Sequence, residues 1–231
     1  MIELLKRKKV IFFDVGYTLD YPSSGDWIFT EKFYEVAGKR VAPYTLEEMQ
    51  RASEVPLEYL DKNHLVMSVE EQYGQYVYLY SEISKNLALG LTQEEVNTIA
   101  YDQTYNVENV KAYLDAKHVL DVLSKSFKLG VISDTWPSLD MRLQAMGIRE
   151  YFSFFTYSCF LGTFKPDRRM YVDALSKCGC RAEETVFIDD SVKNLEGAVS
   201  LGITPILIAA NPASDIETQY MKIHNLSELI R

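Results

Sequence analysis

Residues 9–19 read Lys9-Val10-Ile11-Phe12-Phe13-Asp14-Val15-Gly16-Tyr17-Thr18-Leu19, and this stretch decides the fold. Its four consecutive apolar residues predict a strand that is buried on both faces of a sheet. The strand ends on the carboxylate of Asp14. Parallel α/β sheets bind their ligands at the carboxyl ends of strands, so Asp14 is a candidate site residue. A strand that ends on an aspartate is nevertheless common, and taken alone it would favour a simple turn.

Two later apolar runs also end on polar side chains. Residues 129–132 lead to Ser133, and residues 186–188 lead to the carboxylate pair Asp189 and Asp190. Between them, Lys165 stands directly before a proline, a residue that pre-sets a rigid turn. The chain therefore presents a carboxylate, a hydroxyl, a lysine and a carboxylate pair in a fixed order.

This ordered set resembles the four motifs of the haloacid dehalogenase (HAD) superfamily of hydrolases. The matching pieces are Asp14-x-x-x-Thr18-Leu19, Ser133, Lys165-Pro166-Asp167 and Asp189-Asp190-x-x-x-Asn194. Each piece is weak alone, but the ordered set with ordinary spacings is specific. The resemblance implies an α/β fold with a doubly wound parallel sheet, the Rossmann-like HAD core, and an inserted α-helical cap domain of the subfamily I type.

The segment after the first strand carries helical signals only. Capping-box sequences begin at Thr45, Ser68 and Thr92 and predict helix starts. The predicted helices are 27–38, 45–62 with a kink or split at Pro56, 68–88 and 92–101. We predict a cap domain at residues 21–105 and a core domain at residues 1–20 and 106–231. In the resembled family the cap closes over the nucleophile and helps to choose the substrate.

From about residue 106 helical and strand patterns alternate, which is typical of a parallel sheet. The predicted strands are 128–133, 152–157, 185–189 and 204–208. The predicted helices are 113–125, 139–146, 167–177, 192–201 and a short last helix at 227–230.

The resemblance also implies a role for each motif residue. Asp14 is the expected nucleophile, which forms an aspartyl-phosphate intermediate. Lys165 steadies Asp14 and the transferring group, and Ser133 hydrogen-bonds a phosphoryl oxygen. Thr18 braces the loop after Asp14 and, with Ser133 and Asp134, completes the predicted substrate-binding set. Asp134 either touches the substrate or caps the helix that follows.

Carboxylates at two strand ends suggest a magnesium site, because Mg²⁺ prefers hard oxygen ligands. The resemblance implies Asp14, Asp190 and the backbone carbonyl of Gly16 as ligands. Asp189 belongs to the same predicted metal group, either supporting the ligands or pairing with Lys165. The competing interpretation of the Asp189-Asp190 pair is a helix N-cap, which is a common role for aspartate.

Gly16 departs from the resembled phosphatases, which carry a second Asp at this position as general acid. The main hypothesis is a Mg²⁺-dependent phosphatase that lacks this acid. One alternative is a 2-haloacid dehalogenase, which also lacks the acid but needs no metal. A phosphonate hydrolase is another, and it needs a cap lysine that the sequence does not single out. The remaining alternative is a catalytically weak HAD domain that acts as a binding protein.

Composition limits the partners. The net charge is −9, and residues 21–105 hold 14 acidic against 6 basic residues. An acidic surface repels nucleic acid, so we expect a small phosphorylated substrate and no nucleic-acid partner. No apolar run is long enough for a membrane span or a signal peptide. The cysteines, Cys159, Cys178 and Cys180, predict reduced thiols and a cytoplasmic location. Monomer and homodimer both remain open.

Overall fold

The structure, a computed structural model, describes residues 3–231; Met1 and Ile2, which open the predicted core domain, lie outside the described residues. In chain order the strands are β1 (Val10–Phe13), β2 (Asp20–Pro22), β3 (Val110–Ala112), β4 (Lys128–Ser133), β5 (Phe152–Tyr157), β6 (Thr185–Asp189), β7 (Thr204–Ile208) and β8 (Met221–Ile223). The helices are α1 (Glu31–Ala37), α2 (Leu46–Lys62), α3 (Val69–Asn86), α4 (Gln93–Tyr105), α5 (Ala116–Ser124), α6 (Leu139–Ala145), α7 (Ser158–Leu161), α8 (Arg168–Cys178) and α9 (Val192–Val199).

Six strands form one parallel sheet in the order β5-β4-β1-β6-β7-β8. Hydrophobic clusters cover both faces of this sheet, and all four residues of β1 are buried. The predicted α/β class and doubly wound sheet are confirmed. Because β1 lies between β4 and β6, the residues that follow these three strands meet at one edge.

Helices α1–α4 form the predicted helical insertion and have a hydrophobic cluster of their own. The domain limits at residues 21 and 105 stay predictions. The chain leaves and re-enters the sheet through an antiparallel ribbon of β2 and β3, which the sequence analysis missed. Both ribbon strands have only three residues, and Pro22 weakens the strand signal of the first. The three-residue edge strand β8 was missed for the same reason.

Several helix predictions need correction. The helix predicted at 92–101 continues to Tyr105, the one predicted at 113–125 begins at Ala116, and the last predicted helix, 227–230, is a short 3₁₀ helix. Helix α1 begins at Glu31 rather than 27, because the Asp26 side chain accepts hydrogen bonds from two following N–H groups and holds residues 26–29 in a turn. Helix α2 is not split at Pro56. Proline cannot bond to the carbonyl four residues earlier, that of Ala52. This carbonyl instead accepts from Asn86 Nδ2 of α3 at 2.8 Å, so the helix continues without a lost partner.

Three contacts fasten the cap against the core. Buried Gln72 of α3 donates to Ser138 Oγ at 2.8 Å and accepts from the Ser138 N–H at 3.0 Å. In the loop between α2 and α3, His64 Nε2 lies 2.7 Å from Ser158 Oγ. The N–H of Val66, in the same loop, donates to the Cys159 carbonyl at 3.0 Å. The cap is therefore held closed over the carboxyl edge of the sheet. No helix within residues 3–231 has the length and apolar character needed to cross a membrane.

Candidate active site

The predicted site residues converge at the carboxyl edge of the sheet. Asp14 directly follows β1, Ser133 ends β4 and Asp189 ends β6. The register pairs Phe13 with Val131 on one side and with Ile188 on the other, so these polar residues lie side by side. Parallel pairing of three buried strands thus brings together residues that are far apart in the sequence.

Lys165 connects the ends of β1, β4 and β6 through hydrogen bonds. Its Nζ donates to Asp14 Oδ1 at 2.6 Å, to Asp189 Oδ2 at 2.7 Å and to the carbonyl of Ile132 at 3.2 Å. The Lys165 side chain is only 1% exposed, so these are charge-assisted hydrogen bonds shielded from water. Asn194 Nδ2 approaches the two oxygens of Asp189 at 3.1 and 3.2 Å. We call Asp14, Lys165, Asp189 and Asn194 the strand-end network.

Burial and neighbouring charges shift the pKa values of this site in different directions. Burial raises the pKa of Asp14 well above its ordinary value, and the attraction of Lys165 opposes that rise. Burial alone would lower the pKa of Lys165, but attraction to Asp14 and Asp189 outweighs it, so the ammonium stays charged. Burial also raises the pKa of Asp190, and the neighbouring charge of Asp189 adds to that rise.

Carboxylate oxygens of Asp14, Asp189 and Asp190 lie within 4.8 Å of one another, close enough to share a metal ion. When all three carboxylates are ionised, the single ammonium of Lys165 leaves two negative charges uncompensated, which fits a divalent cation with a preference for oxygen. Asp189 already accepts bonds from Lys165, Asn194 and the Ser191 N–H. Within the described chain, Lys165 is the side chain that donates to Asp14, through Oδ1, and Ser214 is the side chain that donates to Asp190, through Oδ2. Asp14 and Asp190 therefore keep more of their oxygen lone pairs available than Asp189 does.

Comparison with known proteins agrees with this geometry. Residues 8–202 match the family model described as haloacid dehalogenase-like hydrolase. The chain belongs to this family. It is 26% identical over 213 residues to a glyceraldehyde 3-phosphate phosphatase of Methanothermobacter thermautotrophicus, covering 87% of this chain and 85% of that one. It is 32% identical over 95 residues to the GMP/IMP nucleotidase YrfG of Escherichia coli, covering 41% of this chain and 43% of that one. The structure of a 2-haloacid dehalogenase from Pseudomonas syringae superposes with a TM-score of 0.65 at 20% identity, covering 96% of both chains.

These matches support an enzyme that is a phosphatase-like hydrolase. The carboxyl edge of the sheet, which carries these residues, forms the floor of a cavity of about 380 Å³ between core and cap. Asp14, Gly16, Ser133, Asp134, Lys165 and Asp190 all line this cavity. Thr18 is fully buried and is not part of the lining; its N–H donates to the Val15 carbonyl, inside the loop that follows Asp14.

Two further acidic residues lie near this HAD-type site. Asp134 Oδ1 accepts from the Lys165 N–H at 2.9 Å, so it fixes the loop that carries the lysine. Burial raises the pKa of Asp134 above its ordinary value, and Lys165 opposes the rise. Asp20 is fully buried, pairs with Arg142 at 2.5 Å and does not line the cavity. In this arrangement the Asp20 carboxylate therefore does not face the cavity.

The loop after Asp14 contains a residue in a left-handed conformation and a close aromatic contact. Tyr17 has φ 56°, a left-handed conformation that non-glycine residues rarely adopt, and its ring contacts Trp27 edge-on at 5.4 Å between centroids. A Cβ atom placed on Gly16 would lie 3.2 Å from Cζ2 of Trp27. The indole ring of Trp27 therefore fills the space into which an acidic side chain at position 16 would extend.

Sequence reasoning missed the residues that line the cavity opposite Asp14. These are mainly Trp27, Tyr76 and Gln103 of the cap, with Trp136 and Arg142 of the core. None of these five residues belongs to a motif. They form a group only in the folded protein, where all of them line the same cavity.

Proposed function

We propose that this protein is a Mg²⁺-dependent phosphatase that acts on a small phosphorylated metabolite through an aspartyl-phosphate intermediate on Asp14. One observation carries the proposal: Asp14 is fixed by Lys165 through one oxygen while its other oxygen stays free, beside Asp190, at the floor of a closed cavity. The cavity volume of about 380 Å³ suits a small ligand, since such sites usually measure roughly 300–1,000 Å³.

In this proposal one carboxylate oxygen of Asp14 attacks phosphorus and the bond from phosphorus to the leaving-group oxygen breaks. Water later attacks the phosphorus of the aspartyl phosphate, which releases phosphate and restores Asp14. Ser133 donates a hydrogen bond to a phosphoryl oxygen, and Lys165 orients Asp14. Asp14, Asp190 and the Gly16 carbonyl would hold Mg²⁺, with Asp189 supporting them. Bound Mg²⁺ would neutralise negative charge as the carboxylate meets the phosphate.

The proton for the leaving group is the unusual part. Gly16 has no side chain to supply it, and a general acid typically contributes about 10²–10⁴ to the rate. We therefore infer a phosphatase whose rate falls steeply as the pKa of the leaving group rises. Acyl and aryl phosphates, whose leaving groups depart without a proton, should therefore react fastest.

The missing acid also favours a second candidate, a 2-haloacid dehalogenase. The accumulation of carboxylates at Asp14, Asp189 and Asp190 opposes it, since a metal-free reaction has no use for the extra negative charge. A phosphonate hydrolase is opposed by the cavity lining, in which the described residues include Lys165 as the only lysine, and Lys165 comes from the core. A purely binding role is opposed by the fully assembled strand-end network.

The test is a substrate screen with MgCl₂, with excess chelator and with 2-haloacids on the same plate. Glyceraldehyde 3-phosphate, GMP and IMP belong in the screen because relatives are named for them. We expect phosphate release that chelator abolishes and that Asp14→Asn lowers by at least about 10⁴-fold. Asp190→Asn should weaken activity severely and raise the Mg²⁺ concentration required.

The matched control is Asp121→Asn, which alters an exposed aspartate paired with Lys125 on α5 and should leave the rate unchanged. Full phosphatase activity in excess chelator would overturn the metal assignment. Halide release without phosphate release would replace the proposal by the dehalogenase.

A further inference from the structure

The turn between β7 and β8 approaches the candidate metal site from outside the cavity. Ser214, the last residue of this 3₁₀ turn, donates a hydrogen bond from Oγ to Asp190 Oδ2 at 2.9 Å, and it is only 8% exposed. Asp190 lines the cavity, whereas Ser214 does not. Ser214 also belongs to no motif and lies beyond residues 8–202, the part of the chain that matches the family model. The hydroxyl therefore contacts a candidate metal ligand and not the space for a substrate.

Contacts on both sides hold this turn in place. Pro212 fixes the first φ angle of the turn, and the carbonyl of Asn211 accepts from the Ser214 N–H at 2.9 Å. On the other side, Lys222 of β8 forms an ion pair with Asp215 at 2.6 Å. The backbone that carries Ser214 is therefore ordered by the protein itself, which keeps the hydroxyl directed at Asp190.

The bond from Ser214 is suited to orienting a metal ligand. An ionised carboxylate can only accept hydrogen bonds, so the Ser214 hydroxyl is the donor. Lys165 and Asn194 supply the side-chain donors that orient Asp189. For Asp190 the side-chain donor is Ser214. Partners of this kind fix the direction of a ligating carboxylate, and removing one typically weakens metal binding roughly 10- to 100-fold.

We propose that Ser214 is a positioning residue of the metal site, whose hydroxyl holds the Asp190 carboxylate in the orientation that binds a divalent cation. This inference rests on the metal dependence in the proposed function and adds a residue that the sequence motifs do not contain. Because coupling between two sites is reciprocal, a cation that gains affinity from Ser214 should also stabilise the turn. We therefore expect two measurable effects, one on cation affinity and one on the turn.

Cation affinity is measured without substrate, so the test does not depend on turnover. The probe is Mn²⁺, which like Mg²⁺ prefers oxygen ligands and which electron paramagnetic resonance detects when it is free. MgCl₂ in competition shows whether the two ions share the site. We expect the dissociation constant for Mn²⁺ to rise roughly 10- to 100-fold in Ser214→Ala. Ser214→Thr keeps the hydroxyl and should restore most of the affinity.

Ser227→Ala is the matched control. Ser227 donates from Oγ to Asp115 Oδ2, also at 2.9 Å, but neither of these two residues lines the cavity. Both alanine variants lose one hydrogen bond to an aspartate, so each should slightly lower the free energy of unfolding measured in chelator. Only Ser214→Ala should also weaken cation binding, which separates positioning of the metal ligand from a merely structural role.

Hydrogen exchange gives the second readout. The N–H groups of Ser214 and Asp215 donate within the turn, to the carbonyls of Asn211 and Pro212. Saturating Mg²⁺ should slow the exchange of these amides several-fold in the wild type and much less in Ser214→Ala. Mass spectrometry of a peptide that spans the turn measures both rates.

Equal affinity for Mn²⁺ in the wild type and in Ser214→Ala would overturn the inference and leave the proposed function standing; Ser214 would then only fasten the turn. A loss of affinity that Ser214→Thr does not recover would also overturn it, because the hydroxyl would not be the cause. If the wild type itself binds neither Mn²⁺ nor Mg²⁺, the metal assignment of the proposed function fails, and the role of Ser214 fails with it.

Discussion

The floor of the cavity and the side opposite it are built in different ways. In the strand-end network, Lys165 Nζ donates three hydrogen bonds and both carboxylate oxygens of Asp189 accept, and both side chains are almost completely buried. On the opposite side, Gln103 Oε1 and Arg142 Nε are also buried, but neither makes a hydrogen bond of good geometry with the described residues. The floor is thus held by its own hydrogen bonds, whereas part of the opposite side is not.

This difference separates chemistry from selection. A network whose members fix one another holds the reacting carboxylate in a single orientation, as catalysis requires. The side chains of the opposite side, which come from both cap and core, line the rest of the cavity, where they would meet the part of a bound substrate beyond the phosphate. Breaking the network should therefore damage stability and all activity, whereas altering the opposite side should change which substrates react.

Removing the central cation should have the largest effect. Lys165→Met leaves Asp14 and Asp189 buried and facing each other without a compensating charge. We expect the free energy of unfolding at pH 7 to fall by about 3–5 kcal/mol, measured by urea denaturation. Loss of the ammonium should also raise the pKa of Asp14 further, so the folded variant would bind a proton that the unfolded chain releases. The deficit should therefore shrink as the pH falls from 7 to 5.

Lys177→Met provides the comparison, because Lys177 pairs with Asp173 at a partly exposed position on α8. An exposed pair of this kind contributes about 0.5 kcal/mol. If Lys165→Met cost no more than Lys177→Met, the strand-end network would not be a stabilising unit.

The sequence predicted the floor of the cavity almost completely. Strands β4, β5, β6 and β7 have the predicted limits, because each is a compact apolar run with a clear end. Asp14, Ser133, Lys165 and Asp190 meet as expected, because parallel strands bring their carboxyl ends to one edge. These residues are recognisable in one dimension because each directly follows, or directly precedes, a strong local signal.

The opposite side could not be predicted in the same way. Trp27, Gln103 and Arg142 come from a turn, a cap helix and a core helix, and nothing in their local patterns links them. Only the packing of the cap onto the core brings them together. The turn at Asp26 and the carbonyl of Ala52 show the same limit, since side-chain hydrogen bonds decided both structures.

At the contact between cap and core, we expect stability to depend on pH through His64. Burial lowers the pKa of His64 from its ordinary value of 6.5 to about 4, and the imidazole Nδ1 has no partner in the described structure. Between pH 6.5 and pH 4 the unfolded chain takes up a proton that the folded protein does not. Stability should therefore fall as the pH falls through this window, by at most about 3 kcal/mol.

His64→Gln removes the titration while its amide can still bond to Ser158. We expect the difference in free energy of unfolding between pH 7 and pH 4.5 to be smaller in His64→Gln than in the wild type. The control is His118→Gln, because His118 is exposed on α5. If stability depended on pH identically in the wild type and in His64→Gln, burial would not lower the pKa of His64.

The smallest expected effect is at Gly16, a floor residue that lies against the Trp27 ring of the opposite side. A carboxylate restored there alone should not act as an acid, because its Cβ would meet the Trp27 ring at 3.2 Å. Gly16→Asp alone should therefore lose stability and gain no activity. Trp27→Ala opens the space, and the double variant should be compared with Trp27→Ala rather than with the wild type.

On an alkyl phosphate, whose leaving group needs a proton, we expect the double variant to be about tenfold faster than Trp27→Ala. This gain is a fraction of the roughly 10²–10⁴ that a well-placed general acid contributes, because no neighbouring residue orients the new carboxylate. On an aryl phosphate, whose leaving group departs without help, the two should react equally fast. A wild-type rate that does not depend on leaving-group pKa would contradict the argument, and loss of rate in Asp134→Asn for alkyl phosphates alone would identify Asp134 as the acid. In that case a residue of the cavity floor would protonate the leaving group, and the opposite side of the cavity would take no part in the chemical step.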